Sequence, residues 1–260
     1  MSKQHHCLKT CYNESNNYIE IGVDEVGRGP LFGRVYSAAV ILPKTSENNG
    51  ISEISEISEI SEISRFKYEL MKDSKKFTSK KKMREVAEYI KSNNDLYAIS
   101  YIDEKIIDKI NIKNASYNAM HNAIQELLNI LQDKLSHDNN FKTDNILLMI
   151  DGNNFKPFTK YNYQDNRLEQ INHITIEGGD NIYCNIAAAS IIAKVEHDKY
   201  IEDMCNQYPK LHEYYDLNNN KGYGTKRHIE GIKKYGISPW HRITYSTCKN
   251  MIPNSCEFYK

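Results

Sequence analysis

The stretch IGVDEVGRGP at residues 21–30 decides how the fold begins. Apolar residues alternate with other residues up to its two acids, a period-two pattern that predicts a β-strand over residues 18–26. Three glycines and a proline between residues 27 and 33 then break the chain. The apolar residues 35–42 predict a second, buried strand that forms a hairpin with the first.

Two adjacent acids, Asp24 and Glu25, lie near the end of the first predicted strand. Neighbouring residues of a regular strand point to opposite faces, so both carboxylates reach one site only near the strand end, where the backbone departs from ideal pleating. Such carboxylates are costly unless they are paired or bind a metal. The pair is therefore a candidate metal-binding site.

The rest of the chain alternates strands with helices. Hydrophobic periodicity predicts further strands at residues 96–102, 146–150 and 173–176, and helices at about 79–91, 114–135, 182–205 and 226–235. This alternation is typical of an α/β sheet.

Asp151 and Asp180 also lie at the ends of predicted strands, each beside glycine. Each acid taken alone fits a loop cap or a salt bridge equally well, and the spacing alone does not show that the acids converge. If they met with Asp24 and Glu25 at one edge of the sheet, the four carboxylates would make an oxygen-rich cage suited to Mg²⁺ or Mn²⁺.

Composition excludes several classes of protein. The chain has 260 residues, and no apolar run approaches the roughly 20 residues that a membrane span needs. The N-terminus resembles neither a secretory signal nor a typical transit peptide. Six cysteines without a C-x-x-C pair argue against a disulfide framework and a zinc ribbon. We expect an intracellular chain with reduced thiols.

Two segments have ambiguous patterns. His5, His6, Cys7 and Cys11 are potential metal ligands, but a frayed terminal tail is the favoured interpretation. Residues 51–64 repeat Ile-Ser-Glu with a period of three, which matches neither a helix nor a strand. We interpret this repeat as an inserted surface loop without a catalytic part, and a partner-binding helix is the alternative.

The formal net charge is zero, so a nucleic-acid partner has to be held by local patches. Residues 71–84 carry six lysines and one arginine against a single acid. For this run taken alone, a solvated helix face is the favoured interpretation and a nucleic-acid contact is the alternative.

Seven segments resemble, in order, the signature blocks of the bacterial-type ribonucleases HII. They are DEVGRGP at 24–30, DSKK at 73–76, DGN at 151–153, GD at 179–180, AAASIIAKV at 187–195, KGYGT at 221–225 and YGISPWHR at 235–242. The resemblance spans residues 19 to about 245 and omits only the tail and the insertion. Seven blocks in the right order make chance agreement negligible.

The resemblance implies an α/β ribonuclease H-like fold, in which a five-stranded mixed sheet is flanked by helices. A C-terminal helical region, from about residue 206, is expected to help hold the duplex. The implied catalytic domain covers residues 18–245, including the insertion at about 46–64. Residues 1–17 and 246–260 are expected to be tails.

The resemblance also implies the roles of single residues. The family's catalytic, metal-binding acids correspond to Asp24, Glu25, Asp151 and Asp180. Its Gly-Arg-Gly turn, which binds the ribose 2′-hydroxyl with backbone groups, corresponds to Gly27, Arg28 and Gly29. The tyrosine that acts with this turn matches Tyr223, and Lys75 is expected near a phosphate. Glycine allows backbone to approach nucleic acid closely, and the 2′-hydroxyl distinguishes RNA from DNA.

The implied activity is that of a metal-dependent endoribonuclease. It would hydrolyse the RNA strand of RNA/DNA hybrids and cut 5′ of single ribonucleotides in duplex DNA. Two ions, Mg²⁺ or Mn²⁺, would activate a water and stabilise the leaving 3′-oxygen, giving 5′-phosphate and 3′-hydroxyl ends. We expect no membrane partner and no organic cofactor. We expect a cytoplasmic monomer acting in DNA replication and repair, with a nuclear or organellar location left open for a eukaryotic source.

The chain departs from the family pattern at three places. Gly178 stands where the family usually has a lysine, two residues before the fourth acid, which removes a positive charge from the site. His197 and Asp198 replace an Arg-Asp pair at the end of the alanine-rich helix. Asp198 is a rival fourth ligand, but Asp180 matches the Gly-Asp block, so Asp198 is interpreted as a structural residue. The pair at 33–34 has no clear functional consequence.

Two rival functions remain to be compared. A dinucleotide-binding domain fits poorly because Pro30 follows the Gly-Arg-Gly turn, Gly33 comes one position late, and a strand rather than a helix follows. A catalytically silent module that binds RNA/DNA hybrids is the stronger alternative. Metal-dependent cleavage of a DNA duplex that contains one ribonucleotide separates the silent module from the enzyme.

Overall fold

The computed structural model describes residues 7–13, 18–43, 66–135, 145–162, 166–254 and 258. The Ile-Ser-Glu repeat and the histidines at positions 5 and 6 lie outside the described residues, so the interpretations of both stay predictions. In the described part of the chain, no helix has the length and apolar character to cross a membrane.

The described residues form one five-stranded sheet and one two-stranded sheet. The strands are β1 (Ile19–Val26), β2 (Val35–Val40), β3 (Tyr97–Ile102), β4 (Ile146–Asp151), β5 (Thr159–Asn162), β6 (Arg167–Gln170) and β7 (Asn172–Ile176). The larger sheet has the order β3-β2-β1-β4-β7, in which β1 pairs with β4 and β4 with β7 in parallel. The predicted five-stranded sheet is confirmed, and β1 and β2 are hydrogen-bonded neighbours as expected.

The antiparallel pair β5–β6 was not predicted. Its residues lack the alternation of buried and exposed side chains on which the sequence prediction depends, because Tyr161 is 39% and Leu168 is 69% exposed. A short strand pair with little buried surface gives almost no signal in the sequence.

Helices lie between the strands and fill the C-terminal part. They are α1 (Lys80–Ser92), α2 (Glu104–Ile110), α3 (Ile112–Lys134), α4 (Cys184–Gln207), α5 (Lys210–Tyr215), α6 (Leu217–Asn220) and α7 (Lys226–Tyr235). Of the two candidate caps for α1, Thr78 and Ser79, the structure has Ser79, whose side chain accepts a hydrogen bond from the Lys82 amide. Helices α2, α5 and α6 were missed because seven residues or fewer hold too little of a 3.6-residue period.

Close packing of α4 on β1 positions the end of the central strand. A Cβ atom added to Gly22 would lie 2.2 Å from the backbone carbon of Asn185, so only glycine fits there. Ala187, Ala188 and Ala189 follow in the helix and are fully buried. Small side chains on both elements therefore bring the helix backbone next to the strand two residues before Asp24.

The described residues fall into two compact units. The first is drawn from residues 1–24, 38–99 and 120–192, and its buried core includes Ile21, Val23, Leu148, Ile150 and Ala188. The second is drawn from residues 25–37, 100–119 and 193–260, and its core includes Phe32, Ile201, Leu211, Tyr215 and Ile232. Each unit has its own apolar core.

Candidate active site

Asp24 and Asp151 follow paired residues of two central strands. The register of β1 and β4 pairs Val23 with Ile150, and each acid is the next residue of its strand. Parallel strands lie about 4.8 Å apart, and residues at the same level point to the same face. Asp24 is only 5% exposed. The sheet thus places two carboxylates at one level of its central strands.

A glycine turn brings Asp180 to this sheet edge. Gly178 adopts the left-handed conformation with φ 65°, and Gly179 opens a short 3₁₀ turn that includes Asp180. The Gly179 amide donates a hydrogen bond of 2.7 Å to Asp151 Oδ1. A Cβ atom on Gly179 would lie 2.6 Å from Ile186 Cδ1. Gly179 is therefore closely packed, and its bond to Asp151 places the next residue, Asp180, near that acid.

Asp180 is in an electrostatically unfavourable position. Its residue is 2% exposed, and within the described residues no donor forms a hydrogen bond to its Oδ2 atom. Burial raises the pKa of Asp180, and the nearby carboxylates of Asp151 and Asp73 raise it further. A buried carboxylate with an unpartnered oxygen and acidic neighbours is a site that a cation would stabilise.

Asp73 and Asn181 belong to the same cluster, although the sequence analysis gave neither a role. Asn181 Nδ2 donates hydrogen bonds to Asp73 Oδ2 at 3.2 Å and to Asp180 Oδ1 at 3.0 Å. Asp73 also caps the turn Ser74–Lys76 by accepting from the Lys75 amide at 2.8 Å. Asp73 lies in the Asp-Ser-Lys block, which was considered only for its lysine.

Lys75 lies beside the acids. Its Nζ atom is 3.9 Å from Asp180 Oδ2, and its side chain is 82% exposed. Desolvation acts to lower the pKa of Lys75, but four carboxylates outweigh it and raise this pKa. In order of effect they are Asp180, Asp73, Asp24 and Asp151. Lys75 is therefore an exposed cation beside the acidic cluster, and it is accessible to an anionic group of a ligand.

Glu25 is the first residue of the second unit. Its side chain is only 13% exposed, and its carboxylate accepts a hydrogen bond of 3.1 Å from Arg28 Nη1, whose side chain is 54% exposed. The sequence analysis assigned both residues to the site but did not predict this ion pair. It spans three residues across the start of the glycine turn.

The glycine turn and Tyr223 are in contact within the second unit. Gly27 has φ 98°, a conformation that glycine adopts without strain. A Cβ atom on Gly29 would lie 3.2 Å from Tyr223 Cε1, so the tyrosine ring packs on the glycine backbone. Tyr223 is 43% exposed. The structure therefore places the exposed backbone of Gly29 next to the accessible ring of Tyr223.

The acids do not form a ready metal cage. In the part of the chain that the structure describes, no group of three or more His, Cys, Asp or Glu side chains is arranged to hold a metal ion. The expected four-carboxylate cage is therefore not preassembled. The physical reason is repulsion between like charges, together with competing partners such as the Gly179 amide for Asp151 and Arg28 for Glu25.

The donor atoms nevertheless suit a hard divalent cation. Carboxylate oxygen is the donor that Mg²⁺ and Mn²⁺ prefer. Asp180 Oδ2 is one such donor in a buried position, since within the described part of the chain it accepts no hydrogen bond and has only the exposed Lys75 nearby. The residues present therefore fit a divalent metal that completes the site by binding.

Asp198, the rival fourth ligand, has other partners. It lies in α4, is 3% exposed, and accepts from Lys194 Nζ at 2.6 Å and from His197 Nδ1 at 3.2 Å. Burial acts to raise the pKa of Asp198, but the contacts with His197 and Lys194 outweigh it and lower this pKa. The carboxylate is thus paired within its own helix.

The family model for ribonuclease HII matches residues 21–248 of this chain. The chain belongs to the ribonuclease HII family. A ribonuclease HII of Phocaeicola vulgatus is 37% identical over 232 residues, which cover 89% of this chain and 91% of that protein. One of Bacteroides fragilis is 38% identical over 228 residues, which cover 88% and 89%. The recognition from seven sequence blocks is confirmed.

Solved structures support the ribonuclease H-like fold. The ribonuclease H2 of Pyrococcus horikoshii matches with a TM-score of 0.56 at 21% identity, covering 88% of this chain and 94% of that one. A ribonuclease HIII solved in complex with Mn²⁺ matches with a TM-score of 0.54 at 17% identity, covering 91% and 70%. At these identities the likeness concerns the fold alone.

Proposed function

We propose that this ribonuclease HII family member is an endoribonuclease that hydrolyses the RNA strand of RNA/DNA hybrids and cuts 5′ of single ribonucleotides in duplex DNA. Asp24, Glu25, Asp151 and Asp180 hold two divalent ions, Mg²⁺ or Mn²⁺, and the products carry 5′-phosphate and 3′-hydroxyl ends. The observation that carries the proposal is the buried Asp180, which follows Gly179, whose amide donates to the partly buried Asp151. Within the described residues Asp180 Oδ2 accepts no hydrogen bond.

The acids supply the site for the ions. Asp24 and Asp151 follow paired residues of β1 and β4, and the turn after β7 places Asp180 beside Asp151. When bound, divalent ions would supply an activated water for attack on phosphorus and charge stabilisation for the leaving 3′-oxygen. Asn181 donates to both Asp180 Oδ1 and Asp73 Oδ2, and so ties the Asp180 side chain to Asp73.

The second unit supplies selection for ribose. In the turn at Gly27, Arg28 and Gly29, the last two residues are exposed and can present backbone groups to a ligand, and the 2′-hydroxyl is both a donor and an acceptor. Tyr223 lies on this turn and is accessible. We assign the tyrosine to packing on the same sugar, and the exposed Lys75 to a phosphate of the substrate.

The test is cleavage of a DNA duplex that contains one ribonucleotide, compared with an RNA/DNA hybrid and an all-DNA duplex. We expect cleavage of the first two with Mg²⁺ or Mn²⁺, none after chelation, and a 5′-phosphate on the ribonucleotide side. The all-DNA duplex should stay intact. Binding without cleavage under every metal condition would favour the silent module instead.

Cell location and assembly are further expectations of the proposal. We infer a cytoplasmic monomer that acts in DNA replication and repair. Light scattering of the purified chain and fractionation of the source cells test these two points separately from the activity.

A further inference from the structure

Arg242 is a fully buried cation whose partners are backbone carbonyls. Its guanidinium donates hydrogen bonds of 2.7–3.1 Å to the carbonyl oxygens of Gly27, Arg28, Pro30, Gly33 and Arg34. It also donates to the Tyr245 hydroxyl at 3.0 Å, and that hydroxyl donates to the Arg28 carbonyl at 2.6 Å. One side chain therefore bonds carbonyls along residues 27–34. They include the carbonyls of Gly27 and Arg28, two of the three residues in the Gly-Arg-Gly turn.

The residue before it, His241, supports the other half of the ribose site. The Ser238 amide donates to His241 Nδ1 at 2.9 Å, so Nδ1 is an acceptor and the His241 proton resides on Nε2. His241 Nε2 lies 3.0 Å from His228 Nε2, and His228 Nδ1 lies 2.9 Å from the Tyr223 carbonyl. Only one order of donors satisfies these contacts, with both rings neutral and each donating towards Tyr223.

The protonation of the two rings agrees with this order. Burial lowers the pKa of His241 far below its usual value, and the neighbouring His228 lowers it further. Burial also lowers the pKa of His228, against the opposing effects of the Tyr223 carbonyl and Asp216. Near neutral pH both rings are uncharged, so His241 donates and His228 accepts.

The two supports come from one short segment and meet at the same place. His241 pairs with Phe32 as an antiparallel bridge, and the Arg242 amide donates to the Leu31 carbonyl at 2.8 Å. Arg242 donates to the carbonyls of Arg28 and Pro30, the residues on either side of Gly29. His241 donates to His228, which in turn donates to the Tyr223 carbonyl. These two sets of hydrogen bonds meet where the Tyr223 ring packs on Gly29.

We propose that residues 238–242 form the positioning element of the ribose 2′-hydroxyl site, in which Arg242 holds the glycine turn and His241, through His228, holds Tyr223. Neither residue touches substrate, so both act by setting the distance between the turn and the tyrosine. This inference rests on the proposed function, because it assigns the supports of the site proposed to bind ribose.

The test measures 2′-hydroxyl discrimination, the ratio of the Kd values for an all-DNA duplex and for the same duplex with one ribonucleotide. Cleavage is prevented by Asp24→Asn in every protein. Arg242→Lys keeps the charge but has too few donors for five carbonyls, and we expect discrimination to fall by about tenfold or more, with little change in the all-DNA Kd. Arg34→Lys is the matched control, because the Arg34 guanidinium packs on Tyr101 and Tyr200 rather than on the turn.

His241→Asn and His241→Gln form a second pair. Asparagine can replace the Nδ1 acceptor but cannot reach His228, whereas the amide of glutamine can donate at the Nε2 position. We expect His241→Asn to lose discrimination and His241→Gln to recover most of it. Equal behaviour of the two variants, or equal loss of affinity for both duplexes, would overturn the positioning role.

A second readout requires no substrate. Hydrogen exchange of residues 27–34 in the full chain should become about tenfold faster in Arg242→Lys, while exchange of β4 stays unchanged. Unchanged exchange of the turn would contradict the proposal whatever the binding data show. If the parent protein itself shows no discrimination and the native chain shows no cleavage, the proposed function fails, and the exchange result still decides whether Arg242 holds the turn.

Discussion

The acidic cluster of the first unit and the glycine turn of the second are built in opposite ways. Among the described residues, Asp180 Oδ2 accepts no hydrogen bond and has only Lys75 Nζ at 3.9 Å. Burial and the neighbouring carboxylate of Asp151 raise the pKa of Asp180. The turn has five carbonyls bound by a single guanidinium. The first region has a place for the cation that we propose, whereas the second is already cross-linked by hydrogen bonds.

This difference separates two tasks. Repulsion between the carboxylates of a metal site is tolerable, because the bound ion offsets that repulsion. A site that distinguishes one hydroxyl group from a hydrogen atom needs fixed distances, since an unpaired polar group costs about 1–3 kcal/mol only if neither side can move to compensate. We therefore expect changes in the acids to remove turnover and changes around the turn to reduce selectivity.

The largest expected effect is on the acidic side. Asp24→Asn should lower kcat for the single-ribonucleotide duplex by roughly 10³-fold or more, with duplex affinity nearly unchanged, because the variant removes charge that the ions require. Asp198→Asn is the matched control, a buried aspartate paired with Lys194 in α4, and it should keep near-native kcat with reduced stability. Single-turnover kinetics measure both. An active Asp24→Asn variant, or an inactive but folded Asp198→Asn variant, would show that the ligands have been wrongly assigned.

The next effect sharpens the role of the turn. Tyr223→Ala removes the ring that packs on Gly29, and we expect cleavage at a single ribonucleotide to fall by about tenfold more than cleavage of a long RNA stretch, a difference of about 1.4 kcal/mol. Tyr223→Phe keeps the ring and separates packing from the hydroxyl. The measurement is kcat/KM on the two substrates. Equal losses on both would reject the assignment of Tyr223 to the ribonucleotide junction.

The smallest effect concerns pH and the second unit. The pKa values of His228 and His241 are lowered in the folded chain, so the unfolded chain binds protons first as the pH falls below about 6.5. The stability that these histidines contribute is present above that pH and declines below it, as the unfolded chain takes up protons that the folded chain does not. Urea unfolding from pH 7.5 to 6.0 measures the slope. The partly buried His121 and the buried His197, whose pKa values are also lowered, contribute to this slope, so His228→Asn should flatten it only in part.

Much of this architecture was predictable because its signals are local. The strand before Asp24 and the helix α1 after Ser79 are both marked by hydrophobic period or capping. Likewise, α7 ends at Tyr235, the predicted last residue, and Gly236 follows it. Elements with few buried side chains, such as β5 and β6, carry no comparable pattern and were missed.

The site was predictable only as a set of residues, not as an arrangement. The acids stood out because carboxylates at the ends of buried strands are unusual. The partners that position them, such as Asn181 on Asp73, join residues 108 apart in the sequence and leave no local pattern. Arg242 was part of a recognised block, but its contacts with carbonyls more than 200 residues away in the chain are visible only in the structure.

The central claim is that the acids of the first unit are completed by a divalent ion. Anomalous diffraction from crystals of the chain soaked in Mn²⁺ tests it most directly. We predict the strongest peak among the carboxylate oxygens of Asp24, Asp151 and Asp180. A peak elsewhere, or none at these acids under conditions in which Mn²⁺ supports cleavage, would contradict the account.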